Sequence, residues 1–211
     1  MAALLLGGTW GLAWGATDED RPVRLVSPAA AHDGVLAGRP TLFIDAASES
    51  PPPPQAEVKR VYYINSLSIR AATDAVRRDQ NQGVPAQRLT GTPLDWVELG
   101  LPFATELPAR PAVITVRALS EAIADQVDVQ IVDLRGAADD VGTSSVSTNA
   151  LRLLPHEFEA ALPEMSRRRW LVLVDDGHGV AHAFADLAFA RGYVLVAVLE
   201  GGYPAWIANE S

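Results

Sequence analysis

The order of apolar runs and helical patterns in this chain occurs twice, and that repetition limits the folds open to it more than any single motif does. In the second half, Val129-Gln130-Ile131-Val132-Asp133 and Trp170-Leu171-Val172-Leu173-Val174 are short apolar runs ended by polar residues, and 194–199 is a third, broken by Gly201-Gly202. Runs of this length without alternation read as strands buried on both faces. Helical patterns flank them at 119–127, 155–162 and 181–190. Strand alternating with helix at this spacing predicts an α/β fold, a parallel sheet covered by helices on both faces.

The first half repeats the order in a shorter form. Ser27-Pro28 starts a helix to about Ala37; a strand follows from Thr41 to Ile44, ending in Asp45. Then come a strand at 60–64, a helix at 69–78 and a short strand at Gln87-Arg88-Leu89. Over their later parts the halves share an offset of 110 residues, placing Asn65 on Asp175, Gly91 on Gly201 and Trp96 on Trp206. Asp45 to Asn65 spans 20 residues and Asp133 to Asp175 spans 42, so the first copy lacks 22 residues between its first two strands. The tetraproline Pro51 to Pro54 sits at that gap. It cannot be helix and serves as a stiff extended shortcut.

From Ala2 to Ala16 the chain carries no charged side chain, and the acidic TDED follows. This is too short for a bilayer span, which needs about 20 residues. A secretory signal over residues 1–16 fits, with Ala13 and Gly15 at the −3 and −1 positions of a cut after Gly15, although no Lys or Arg precedes Arg21. The plainer alternative is a buried N-terminal segment of the fold. The signal implies a periplasmic or secreted protein with no stable membrane span once it is removed.

The 211 residues hold 17 basic and 26 acidic side chains, a net charge of −9 that disfavours nucleic acid as a partner. Residues 21–105 sum to +1 and residues 106–211 to −7. The cysteine count is zero. That excludes disulfides, thiolate metal sites and cysteine nucleophiles, and it suits an oxidising compartment.

The second copy resembles a rhodanese-homology domain through the strand end Ile131 to Arg135, the segment LPHEFEAAL, a strand running into a loop and helix, and Gly201-Gly202-Tyr203-Pro204-Ala205-Trp206. The first copy is similar through LVSPAAAHDGVLAGRPTLFIDA, the strand VYYIN and Gly91-Thr92-Pro93-Leu94-Asp95-Trp96. The resemblance covers roughly residues 23–208. It implies two rhodanese-like domains, at 23–103 and 113–208, joined by a proline-rich linker at 104–112 and packed as a pseudo-dimer. It also implies that a cysteine accepting sulfur as a persulfide should stand where this chain has Asn65 and Asp175. Neither side chain can form a persulfide, so sulfurtransferase turnover and the related thiolate phosphatase and arsenate reductase chemistry are excluded. Asp133 and Arg135 are expected to form a structural pair, and Trp96 and Trp206 to plug the core.

Two loops remain as candidate sites. Asn65, Ser66, Ser68 and Arg70 form an anion-binding candidate, Arg70 matching the arginine that closes the family's loop and the helix start offering free amides. The plainer reading has Asn65 or Ser66 capping the helix and Arg70 paired with a surface acid. In the second copy that arginine is Val180, and Asp175, Asp176, His178 and His182 supply four hard or borderline ligands suited to a metal. Here the plainer reading has Asp175 as a helix cap, Gly177 and Gly179 as turn formers and His182 on the surface. Three functions follow in order. The first is a non-catalytic binding or scaffolding module of the periplasm or cell envelope, with a protein partner and no cofactor. The second is a metal-dependent hydrolase or carboxylate-nucleophile enzyme at the Asp175 loop. The third is a sulfur-compound or oxyanion carrier at the Arg70 loop.

Overall fold

The computed structural model describes residues 22–46, 53, 55, 57–64, 66, 67, 69–102, 107–135, 146 and 149–210. The predicted signal at 1–16, most of the tetraproline, Asn65, Ser68 and residues 104–106 of the predicted linker lie outside them.

Each half begins with the same device. A hydroxyl residue caps a helix whose first four amides would otherwise lack acceptors. Ser27 accepts from the Ala30 amide at 3.2 Å to start α1 (Pro28–Leu36), and Thr115 accepts from the Ala118 amide at 3.2 Å to start α4 (Val116–Ala124). The two helices stand 88 residues apart, as do β2 (Thr41–Asp45) and β6 (Val129–Asp133). Later elements are shifted by 110, α2 (Arg70–Asn81) against the start of α6 (Val180–Ala190) and β4 (Ala86–Leu89) against β9 (Val196–Leu199). The drop from 110 to 88 is the 22-residue deletion expected from the sequence.

Among the described residues all strand pairings are parallel. In the first unit β1 (Leu25–Val26), β4, β3 (Lys59–Tyr63) and β2 form a four-stranded sheet in that order. In the second, β5 (Ala112–Ile114), β9, β8 (Trp170–Val174), β6 and β7 (Leu151–Arg152) make five strands. The strand pleat sends alternate residues to opposite faces. Ile131, Val172 and Ala197 meet α4 and Trp206 on one face, while Val132, Leu173 and Val198 meet Ala181, Ala185 and Ala188 of α6 on the other. The first sheet is covered likewise, Val61 and Leu89 packing on Ala31 and Trp96, and Ile44 and Tyr62 on Ala72 and Val76. Both tryptophans expected in the core are buried, Trp96 at 4% and Trp206 at 6% exposure.

Several boundaries differ from expectation for local reasons. The helix expected at 119–127 starts and ends three residues earlier, because Thr115 caps it and Gln126 turns into the left-handed region. The segment expected as helix at 155–162 is a short α5 (Phe158–Ala161) between two 3-10 turns, with Pro155 and Pro163 interrupting the α ladder. The expected linker ends in β5, whose Ala112-Val113-Ile114 is apolar enough to pair with β9. The chain closes on α7 (Gly202–Glu210), which carries Trp206, after α3 (Pro93–Glu98) has done the same for Trp96.

One buried charge network braces the first unit. Arg60 Nη1 donates to Asp79 Oδ2 at 3.0 Å and the Tyr62 hydroxyl donates to the same oxygen at 2.8 Å, with Arg60 and Asp79 side chains each 4% exposed. Burial raises the Tyr62 phenol above its usual range, reinforced by its bond to Asp79.

Candidate functional site

The loop after β8 is where the family resemblance places the reactive cysteine. Asp175 follows the strand at once and is 3% exposed. Its Oδ1 accepts from the Gly177 amide at 2.9 Å and its Oδ2 from the Ala181 amide at 2.9 Å. Gly177 and Gly179 hold positive φ, which folds the loop back so that its amides converge on that carboxylate. Gly202 approaches from the other side: a Cβ there would lie 2.6 Å from Asp175 Oδ1, and the Tyr203 amide donates to the Asp175 carbonyl at 2.8 Å. The carboxylate therefore occupies the two amide donors that an external anion would need. Asp175 caps α6 from within the loop, while the residue at the cap position, Gly179, makes no side-chain cap bond.

The four expected metal ligands do not gather. Asp175 is turned inward onto amides, His182 is exposed on α6, and only Asp176 and His178 meet, at 2.8 Å, with His178 79% exposed. The bond from His178 holds the Asp176 carboxyl below its usual range. Among the described residues no group of three or more His, Cys, Asp or Glu is placed to hold a metal ion.

Beneath the loop, Arg135 Nε meets both oxygens of Asp133 at 2.8 and 3.0 Å, and its guanidinium lies 3.4 Å from the Tyr203 ring centre. Asp133 and Arg135 are 1% and 3% exposed. This is the structural pair expected from the sequence, and it anchors the strand end against α7.

The first-copy loop follows a different plan. The sheet register pairs Asp45 with Tyr63 and Asp133 with Val174, so Ile64, not Asn65, is the sheet counterpart of Asp175. The 110-residue correspondence holds from the helix side, because this loop is one residue longer than 175–179. Its apex points into the other unit. Leu67 is 0% exposed and belongs to the cluster of Ile114, Leu119, Val172 and Trp206, with Leu94 packing on the same cluster. Arg70 bridges to Glu121 at 3.0 Å and Asp74 at 3.4 Å, as one part of the plainer reading expected; the other part, a cap from Asn65 or Ser66, is not found, since Ile69 stands at the cap position of α2 and the helix has no side-chain cap bond. Where an anion would be expected, this loop joins the two copies. Sequence reasoning missed Leu67, because the second-unit residues it packs with begin more than 40 residues downstream.

Further ion pairs cross the seam, Arg88 with Asp125 at 3.1 Å and Arg168 with Glu98 at 3.0 Å and Asp95 at 3.7 Å. Between them a cavity of about 500 Å³ opens at the carboxyl ends of β3 and β4, walled by Ile69, Leu89, Val127 and Trp170. Parallel α/β sheets take their ligands at this end. Arg88 could have drawn notice in the sequence, as a charge expected within a strand.

No family model matches the chain, and no curated protein matches it. Among solved structures, a rhodanese-related protein from Thermoplasma volcanium is 16% identical, with 46% of this chain and 92% of that chain covered and a TM-score of 0.40. A rhodanese-like domain protein from Staphylococcus aureus is 25% identical, covering 45% of this chain and 90% of that chain at a TM-score of 0.38. A thiosulfate sulfurtransferase from Pseudomonas aeruginosa is 18% identical across 89% of this chain and 40% of its own, with a TM-score of 0.41. These neighbours are rhodanese-like proteins, and this chain, two parallel α/β units without a cysteine, is similar to them in fold.

Proposed function

We propose that this chain is a non-catalytic rhodanese-like protein of the periplasm or cell envelope that works as a binding or scaffolding module. The Asp175 carboxylate carries this reading. It fills the amide cradle of the second copy, and the first-copy loop is given over to joining the units. A sulfane-sulfur carrier needs a soft thiolate at that position, and the chain has none. The export part rests on the uncharged stretch from Ala2 to Ala16 and on the absence of cysteine.

Purified protein mixed with thiosulfate and cyanide should form thiocyanate at the buffer rate. Asp175→Cys should restore the rate only in part, because Asp176 stays beside the loop and Val180 replaces the closing arginine. A rate in the unaltered chain that rises with protein concentration contradicts the proposal. For export, the mass of protein recovered from its natural source should match a chain starting at Ala16. An intact Met1 defeats that part.

A further inference from the structure

The cavity between the two units holds a guanidinium that the protein leaves under-compensated. The Arg88 side chain is 9% exposed, and its Nε–H has no acceptor among the described residues. Its one acidic partner among the described residues, Asp125, meets Nη1 at 3.1 Å and is itself 42% exposed. Burial pulls the Arg88 pKa below the usual guanidinium range, with Asp125 opposing only in part. The other cations at the cavity are better served: Arg168 meets both oxygens of Glu98, and Arg169 meets Asp128 and the Val129 carbonyl.

Asp125 is an awkward partner for Arg88. It is the C-cap of α4, where the helix dipole disfavours negative charge. The next residue, Gln126, also lines the cavity and has φ +56, the one positive φ outside glycine among the described residues. The matching positions in the first unit, 88 residues earlier, are Ala37 and Gly38, with Gly38 at φ +68. There the same helix ending uses an uncharged cap and the glycine that such a turn favours. The second unit thus departs from its own template at two adjacent positions, and both face the cavity.

We infer that this cavity binds a small organic carboxylate with an apolar body, whose carboxylate replaces Asp125 on Arg88. Its size is within the range of small-molecule sites, about 300–1,000 Å³. Leu89, Ile69, Val127 and Trp170 supply the apolar wall. Asp125, 42% exposed and paired through a single ion-pair contact, holds the guanidinium until a ligand with a better-placed carboxylate arrives.

This inference rests on the reading of the chain as a binding module and names the ligand class. Benzoate, titrated calorimetrically into the full chain, is the probe, with benzamide and sulfate as controls. Benzoate should bind at least tenfold more tightly than either control. Arg88→Met should weaken benzoate at least tenfold, and Asp125→Asn should tighten it about threefold or more, because the competing carboxylate is gone. The second change has a sign that a merely structural role for Asp125 would not produce, and it stands even where Arg88→Met fails to fold. Absence of benzoate binding, equal binding of sulfate, or weaker binding by Asp125→Asn overturns the inference. Any of these results leaves the thiocyanate assay untouched, whereas a protein-dependent thiocyanate rate defeats the module reading whatever the cavity binds.

Discussion

Replacing Leu67 by alanine should destabilise the protein by about 2–5 kcal/mol, the usual cost of deleting a buried leucine side chain and leaving a cavity. Leu67 is fully buried in the second unit's core although it belongs to the first unit's loop, so its loss weakens the seam as well as the packing. For a chain of this length, each kcal/mol moves the midpoint of thermal unfolding by roughly 2–4 °C. A fall of about 5–15 °C in calorimetry is therefore expected, and the transition should broaden as the two units lose cooperativity. Leu36→Ala is the control. That side chain is 72% exposed, and its removal should shift stability by no more than about 0.5 kcal/mol. Equal, small shifts for both variants would mean that Leu67 does not join the units.

Much of the fold was legible because its signals are local. Ser27-Pro28 marks a helix start, Val129 to Asp133 and Trp170 to Val174 are apolar runs of strand length, and the repeat tied the halves together. Strands of two or three residues, such as Leu25–Val26 and Leu151–Arg152, carry too few side chains to show a period. The loops were harder for a different reason. An aspartate before a helix reads as a cap by sequence distance, but Asp175 reaches an amide six residues on through turns at Gly177 and Gly179. Whether Arg70 faces an anion or an acid depends on Glu121, 51 residues away and in the other unit. Counted from the strands, Ile64 follows β3 as Asp175 follows β8, whereas the 110-residue offset holds from the helices, since only strand register shows where a loop gained length.

Removing the Asp175 carboxylate should have the second large effect. Its two hydrogen bonds come from the backbone amides of Gly177 and Ala181, and the residue is 3% exposed. Bonds to charged groups contribute about 1.5–3 kcal/mol each, and amides left without an acceptor keep their desolvation cost. Asp175→Ala should therefore lose about 3 kcal/mol, seen as a drop of roughly 6–12 °C in the unfolding midpoint. The vacated space matches the deleted carboxylate, so the cradle should become a site for a small external anion. Formate should restore stability progressively with concentration, because a ligand that binds only the folded state stabilises it by RT ln(1 + c/Kd) at free ligand concentration c.

The direct measurement is the response of the Gly177 and Ala181 backbone amides to formate in Asp175→Ala and in the unaltered protein, followed by NMR with chloride as the ionic-strength control. In the variant both amide resonances should move saturably with formate and not with chloride; in the unaltered protein neither should move, because Asp175 already holds the site. Matching shifts in both proteins, or none in the variant while it remains folded, would contradict the account of a cradle filled by the protein's own carboxylate.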